Sequence, residues 1–251
     1  MDLKLSGKTA LVTGASSVGI GRVIAMGLAE EGVRVAITSR RAHLLEEVAQ
    51  QIRSRNHPDP VVLPVDLYEP GAPEQLARAA HERLGRIDIL VNAAGGSRPT
   101  TLDAPTELWE EAMLLNFMRL RELTHAVVKV MIENRWGRIV SLTGSSEPYN
   151  INAANPSKAA VHAWSKGLSR EVAKYGVTVN CIQPGRISSE QMLRMYPTEE
   201  KRRAFTQEVP IARFGEPQEL GDLAVFLCSP RASYITGTVI PVDGGLSRFA
   251  F

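Results

Sequence analysis

Two cysteines in 251 residues leave little material for covalent or metal-built architecture. Cys181 and Cys228 stand far apart among apolar neighbours, with no CxxC pair and no histidine cluster at metal-ligand spacing. That excludes a disulfide scaffold and predicts two buried thiols in a reducing compartment, with no metal. An excess of one charge is also missing. The 29 basic residues are matched by 27 acidic ones spread along the chain, so no like-charge run marks a surface for nucleic acid or for a membrane. Long apolar runs are lacking too: "MDLKLSGKTALVTG" carries a short one that leads into a glycine, neither a signal peptide nor a membrane span. The expectation is a soluble, cytoplasmic protein whose partner is a small-molecule substrate.

What is present is alternation. "TALVTG", "RVAIT", "VVLPVD", "IDILVNAAG", "GRIVSLTG" and "VTVNCIQPG" are short β-rich runs. Between them lie helical patterns at about 22–31, 44–54, 73–84, 107–134 and 157–175. Strands apolar on both faces and separated by helices predict an α/β fold, a doubly wound parallel sheet of Rossmann type. With no linker, repeat or low-complexity stretch, residues 1–251 read as a single dinucleotide-binding domain. The charged, irregular segment 188–209 follows a strand's carboxyl end and reads as a substrate lid.

"LVTGASSVGIGR" follows the first strand and opens the first helix. In that context Gly14, Gly19 and Gly21 let the backbone approach a pyrophosphate whose charge the helix N-terminus favours. The second strand ends "VAITSRR", placing Ser39 where a carboxylate would be needed to bind a free ribose 2′-hydroxyl. Arg40 and Arg41 follow, and a small donor beside a guanidinium suits a 2′-phosphate, so NADP(H) is favoured over NAD(H).

The glycine loop together with "VNAAG", the "SK" helix, "IQPGRI" and "GEPQELGDLAVFLCSPRASYITGTVIPVDGG" resembles the short-chain dehydrogenase/reductase family from about residue 5 to 246. Within it the chain looks most like the 3-oxoacyl-thioester reductases, and from Lys158 onward also like the 2,4-dienoyl-CoA reductases. One departure is an insertion: Ala15, Ser16, Ser17 and Val18 separate the first two loop glycines, where the family usually has three residues. The resemblance implies that Ser16, Ser17 and Ile20 join the glycines around the phosphates. It also implies that Asp66 and Leu67 contact the adenine, and that Asn92, Ala93 and Gly95 lie beside its ribose. Pro184, Gly185, Ile187 and Ser189 would meet the nicotinamide carboxamide, which selects the ring face that reacts. The last strand, "GTVIPV", would build a subunit interface, giving a homotetramer of two-fold symmetry or a homodimer. Trp136 and Trp164 read as core or interface residues.

The family's catalytic set implied by the resemblance is an asparagine, a serine, a tyrosine and a lysine. Asn116 in "LLNFMRL" matches the asparagine, at a helix-interior position that asparagine does not favour. Lys158 matches the lysine, which binds the nicotinamide ribose. Gly144 falls on the serine position, with Ser145 and Ser146 following directly. At the tyrosine position, four before Lys158, stands Ala154, which has no proton to give. "NPS" after it places Asn155 as a helix cap and Pro156 at the first helical position, so the helix should start after Ala154. Tyr149, on the preceding loop, is the nearest replacement acid, and Glu147 is another. The alternative tyrosine of the dienoyl-CoA reductases would fall near Thr143, so that solution is not copied either.

Three functions follow. The first is an NADP(H)-dependent oxidoreductase reducing a carbonyl, with Asn116, Ser145 and Lys158 in the site and the proton supplied by Tyr149 or a relayed water. The second is reduction of an activated C=C bond, where water can protonate the enolate. The third is a catalytically silent nucleotide-binding or assembly protein, since a fold outlives its chemistry.

Overall fold

The computed structural model describes residues 1–16 and 19–249, apart from the side chains of Gln191 and Arg194. The strand β1, Thr9–Thr13, is buried at every position, as is β4, Ile89–Asn92. Backbone without solvent on either face must find its hydrogen bonds within a sheet. These strands do so beside β2 (Arg34–Ser39), β3 (Val61–Pro64), β5 (Gly137–Leu142), β6 (Val177–Pro184) and β7 (Val239–Val242). All seven pair in parallel in the order β3-β2-β1-β4-β5-β6-β7. The order reverses between β1 and β4, where Leu11 faces Leu90 and Val12 faces Val91 in register. Past their carboxyl ends lies the crevice where such sheets bind ligands.

Helices cover both faces because each carries an apolar stripe. In α2, Ala42–Ser54, the buried residues Leu45, Val48, Ala49 and Ile52 recur at helical spacing. They share one core with Ile24 and Leu28 of α1 (Ile20–Glu30) and with Leu220 and Ala224 of α9 (Pro217–Leu227). On the other face, α3 (Ala72–Leu84), α5 (Arg119–Glu133) and α6 (Ala154–Val172) bring Leu76, Leu123, Met131 and Val172 together. Cys181 and Cys228 are buried free thiols, with burial pushing both upward, to about 11 and about 12. Among the described residues no helix is long and apolar enough to cross a membrane.

The single helix expected over 107–134 is broken in its middle. Helix α4, Thr106–Met113, passes into a π turn over Leu114–Met118 before α5 begins. Such turns insert one residue and recur at functional sites; here the turn carries the buried Asn116. The segment read as a lid forms two short helices, α7 (Glu190–Met195) and α8 (Glu199–Thr206), capped by the hydroxyls of Ser189 and Thr198.

The start expected for α6 is corrected. The helix begins at Ala154, which puts Asn155 and Pro156 at its second and third positions. Asn152 supplies the local cap: its carboxamide oxygen accepts from Ala154 N at 3.0 Å and from Arg98 N at 3.0 Å. Pro156 fits because the first amides of a helix have no intrahelical partner to lose. Ala154 and Lys158 are therefore both helical, four residues apart on one face.

Leu90 is fully buried in the central strand β4. Leu90→Ala should cost about 2–5 kcal/mol of stability through lost contacts and a residual cavity. Denaturant unfolding measures it, and a loss well under 1 kcal/mol would contradict this placement.

Candidate active site

Two strand ends are tied together at the switch point by one hydroxyl. Thr13 Oγ1 accepts from the amides of Ala93 and Ala94, each at 3.0 Å, and donates to Val91 O at 3.3 Å. The next residue, Gly14, turns at φ +67°, where a Cβ would lie 2.7 Å from Ala93 O. A Cβ on Gly21 would lie 2.5 Å from Gly14 O, so α1 starts against this turn. The result is a crease of about 430 Å³ opening onto the first turn of α1.

The structure brings most of the expected nucleotide residues to this crease. Gly14, Ser16, Gly19, Ile20 and Gly21 line its floor; Ser17 lies outside the described residues. Ser39, Arg40, Arg41, Asp66, Leu67, Ala93, Gly95 and Ser189 line the rest of it. The two arginines differ. Arg40 meets Asp66 at 3.9 Å and lies 5.5 Å from the ring centroid of Tyr68, its side chain 63% exposed. Arg41 is instead engaged by both oxygens of Glu190, Nη1 to Oε1 and Nη2 to Oε2, each at 3.0 Å.

Five expected residues, Lys158 among them, line no part of it. The Asn92 side chain turns into the core, donating to Thr124 Oγ1 at 3.1 Å and to Ser141 Oγ at 3.3 Å. Pro184 ends β6, Gly185 N donates to Val242 O at 2.9 Å, and Ile187 is buried beside Gly215. Thr38, Tyr68, Leu115, Leu142 and Glu190 line the crease without having been assigned to it from sequence. For Tyr68 the signal was its place directly after Asp66 and Leu67; for Leu115 and Leu142 the pattern shows only burial.

The chemistry-bearing groups gather around Thr143, just past β5. Lys158 Nζ donates to Thr143 O at 3.1 Å, and His162 Nε2 lies 2.7 Å from Thr143 Oγ1. That hydroxyl donates to Ile182 O at 3.2 Å, which leaves its oxygen to accept from the imidazole. Burial pulls the Lys158 ammonium down to about 8, with the charge of Arg98 adding to it. Burial, and then Lys158, also lowers the His162 pKa. At the position that would carry the family's serine, a Cβ on Gly144 would lie 2.8 Å from Lys158 Cδ, so the lysine stem occupies that space.

The remaining candidates are held in different ways. Asn116 is buried, its oxygen accepting from Gly96 N at 2.9 Å and its amide donating to Ala112 O at 2.9 Å. It clamps the loop after β4 onto the π turn. Ser145 Oγ is committed locally, accepting from Glu147 N at 3.0 Å and donating to Glu147 O at 3.1 Å. Ser146 Oγ donates to Gln183 Oε1 at 2.6 Å. Tyr149 is 56% exposed on the same loop. The Glu147 carboxylate accepts from the amides of Arg248 and Phe249, which fixes it as a structural acceptor. Arg98 is paired with Glu111 through Nε at 2.7 Å and Nη2 at 2.8 Å, and the Tyr68 hydroxyl donates to the same carboxylate. Trp164 packs edge-on to Phe117, and Trp136 lies under the charges of Lys8 and Arg138.

A phosphate-accepting turn at the switch point, the exposed guanidinium of Arg40 lining the crease and a desolvated lysine at the end of the neighbouring strand β5 fit a nicotinamide dinucleotide. This class of site belongs to dinucleotide-dependent oxidoreductases. The chain belongs to the short-chain dehydrogenase/reductase family: a family model described as enoyl-(acyl carrier protein) reductase matches residues 14–247. The chain is 35% identical over 250 residues to a 3-oxoacyl-[acyl-carrier-protein] reductase of Aquifex aeolicus, covering 98% of this chain and 100% of that one. It superposes on the structure of YwfH, an NADPH-dependent reductase involved in bacilysin biosynthesis, with a TM-score of 0.93 at 28% identity, covering 97% of this chain and 100% of that one. A 7α-hydroxysteroid dehydrogenase complexed with NADH and 7-oxo glycochenodeoxycholic acid gives a TM-score of 0.92 at 33% identity, with 97% and 96% covered.

Lys158 also yields a stability prediction. Its folded pKa of about 8 lies below its ordinary value of 10.5, so the folded state bears a desolvation cost wherever the ammonium persists. Lys158→Met should raise the melting temperature at neutral pH. The gain should shrink as pH rises from 8 and vanish above 10.5, where the lysine is neutral in both states. Thermal melts across that range check it; a gain that persists at high pH would assign it to packing instead.

Proposed function

We propose that this protein is an NADP(H)-dependent reductase of a carbonyl group, on a 3-oxoacyl-thioester or a similar ketone. The observation that carries the reading is the lysine beyond the crease, half-buried and cationic at neutral pH, on a fold whose relatives reduce carbonyls. The bound nucleotide would supply hydride to the carbonyl carbon. The chain's part is to place and protonate. Gly14, Ser16, Gly19, Ile20 and Gly21 hold the pyrophosphate; Asp66, Leu67, Ala93 and Gly95 hold the adenosine. Ser39 and Arg40 take the 2′-phosphate, since Arg40 has a guanidinium in reach and no close ion pair. Ser189, which lines the crease, meets the nicotinamide carboxamide. Lys158 binds the ribose there and stabilises negative charge developing on the substrate oxygen.

The proton is delivered through a water held by Lys158, with Asn116 fixing the adjoining loop. Tyr149 and Ser145 lie on the loop over this region, and Tyr149 can serve as donor once substrate draws the loop inward. Reduction of an activated C=C bond is the second reading. Neither Ala154 nor Gly144 offers a side-chain acid, and an enolate needs only solvent to protonate it. A homotetramer, assembled through the exposed edge strand β7, and a cytoplasmic setting that keeps both cysteines reduced, complete the proposal.

The test is titration of NADPH by fluorescence, followed by its oxidation with ketones, 3-oxoacyl thioesters and enoyl thioesters. Oxidation with the first two supports carbonyl reduction, oxidation with enoyl thioesters alone selects the second reading, and binding without oxidation indicates a silent protein. Arg40→Ala should weaken NADPH about tenfold or more while leaving NADH nearly unchanged, because a charged hydrogen-bonded pair is lost. An unaltered preference would remove the NADP(H) assignment. Turnover should fall as pH rises through about 8, where Lys158 loses its proton. A Tyr149→Phe variant with an undiminished rate excludes the phenol as donor.

A further inference from the structure

We infer that Arg41 and Glu190 form a clasp that holds the lid closed over the dinucleotide crease, so that the two adjacent arginines have separate jobs. Arg40 reads the 2′-phosphate, and Arg41 positions the lid. The inference rests on the crease being the nicotinamide dinucleotide site.

Three observations carry it. The first is geometry. Arg41 precedes α2 after β2, and Glu190 opens α7 after β6; these strands lie on opposite sides of the β1–β4 switch point, and both residues line the crease. Their side chains meet fork to fork with two bonds of 3.0 Å, 149 residues apart in sequence. A guanidinium with both terminal nitrogens on one carboxylate is not free for a phosphate, whereas its neighbour Arg40 meets Asp66 at 3.9 Å and the Tyr68 ring at 5.5 Å, with its side chain 63% exposed.

The second is how the lid is fixed elsewhere. Tyr196, just after α7, stacks on Phe205 of α8 with ring centroids 4.2 Å apart. Phe205 lies under the guanidinium of Arg186, 3.4 Å from it, and Arg186 is paired with Glu208. The two lid helices therefore move with the end of β6, on their own side of the crease. The Arg41–Glu190 pair ties the front of the lid to the opposite wall, making the segment a strap fastened at both ends.

The third is charge. The crease is built for a pyrophosphate, and Glu190 puts a carboxylate on its rim. Alone it would repel the cofactor; paired with Arg41 it is neutralised, and the pair can sit across the bound phosphates. Arg41 and Glu190 are positioning residues in this scheme, and their effect is on cofactor residence rather than on the reacting atoms. Opening the pair is a step in nucleotide release, which often limits turnover in enzymes with closing segments.

Rates of NADPH and NADH release from the whole protein, followed by stopped-flow fluorescence, test the clasp. Glu190→Gln and Arg41→Gln should each speed release of both nucleotides by about three- to tenfold, for a partly exposed charged pair. The double variant should be no faster than either single one, and the exchange Arg41→Glu with Glu190→Arg should restore slow release. A second readout needs no cofactor: amide hydrogen exchange over 189–196 should quicken in Glu190→Gln. The clasp is overturned if Arg41→Gln speeds release of NADPH alone, which would make Arg41 a phosphate reader. It is equally overturned if lid exchange in Glu190→Gln matches that of the unaltered protein. A failed Arg40→Ala test removes the cofactor preference and leaves the clasp standing, since the clasp acts on both nucleotides. If neither nucleotide binds, the functional reading falls, and the exchange experiment alone decides whether the pair fastens the lid.

Discussion

The hydroxyl of Thr13 is the bond on which the site depends. By accepting from two successive amides after β4 while donating back to Val91, it draws the ends of β1 and β4 into one turn. Gly14 can then pass within van der Waals limits of Ala93 only because it has no side chain. With those strand ends fixed, the first turn of α1 faces the crease, and the loop carrying Gly95 and Gly96 is delivered to Asn116.

A second constraint governs the catalytic end. Lys158 reaches Thr143 O along a path that a Cβ at position 144 would crowd. The lysine and the glycine are therefore adapted to each other, and the family's serine at 144 would force the lysine stem to move. Ala154 lies on the same helical face as Lys158, so the lost phenol is a loss of a group and not of a geometry. His162, one helical turn further along that face, shares Thr143 with Lys158 and takes part in the same desolvated cluster.

Much of this was legible beforehand. The βαβ alternation gave the parallel sheet, because strands buried on both faces read as unbroken apolar runs and their helices carry period-3.6 stripes. The glycine loop, Ser39-Arg40-Arg41 and Lys158 were visible because their chemistry is local to a short stretch. The start of α6 is not legible locally, since Asn152, which caps it, also serves Arg98, which is distant in sequence. The Asn92 amide satisfies Thr124 and Ser141 in the core, and a residue at a strand end gives no local sign of which way its side chain turns.

The sequence by itself determined the class of fold, the family and the loss of the phenol at Ala154. Those follow from residue identity and from periods of two and 3.6, which are properties of neighbouring positions. Tertiary structure alone decided which of two adjacent arginines is engaged by Glu190, what fills the space beside Gly144, and where the π turn puts Asn116. Each of those depends on a partner many residues away: Glu190 for Arg41, Lys158 for Gly144, Gly96 for Asn116. Short-range patterns carry no information about such pairs, because the chain's closure around the sheet is what brings them within bonding distance.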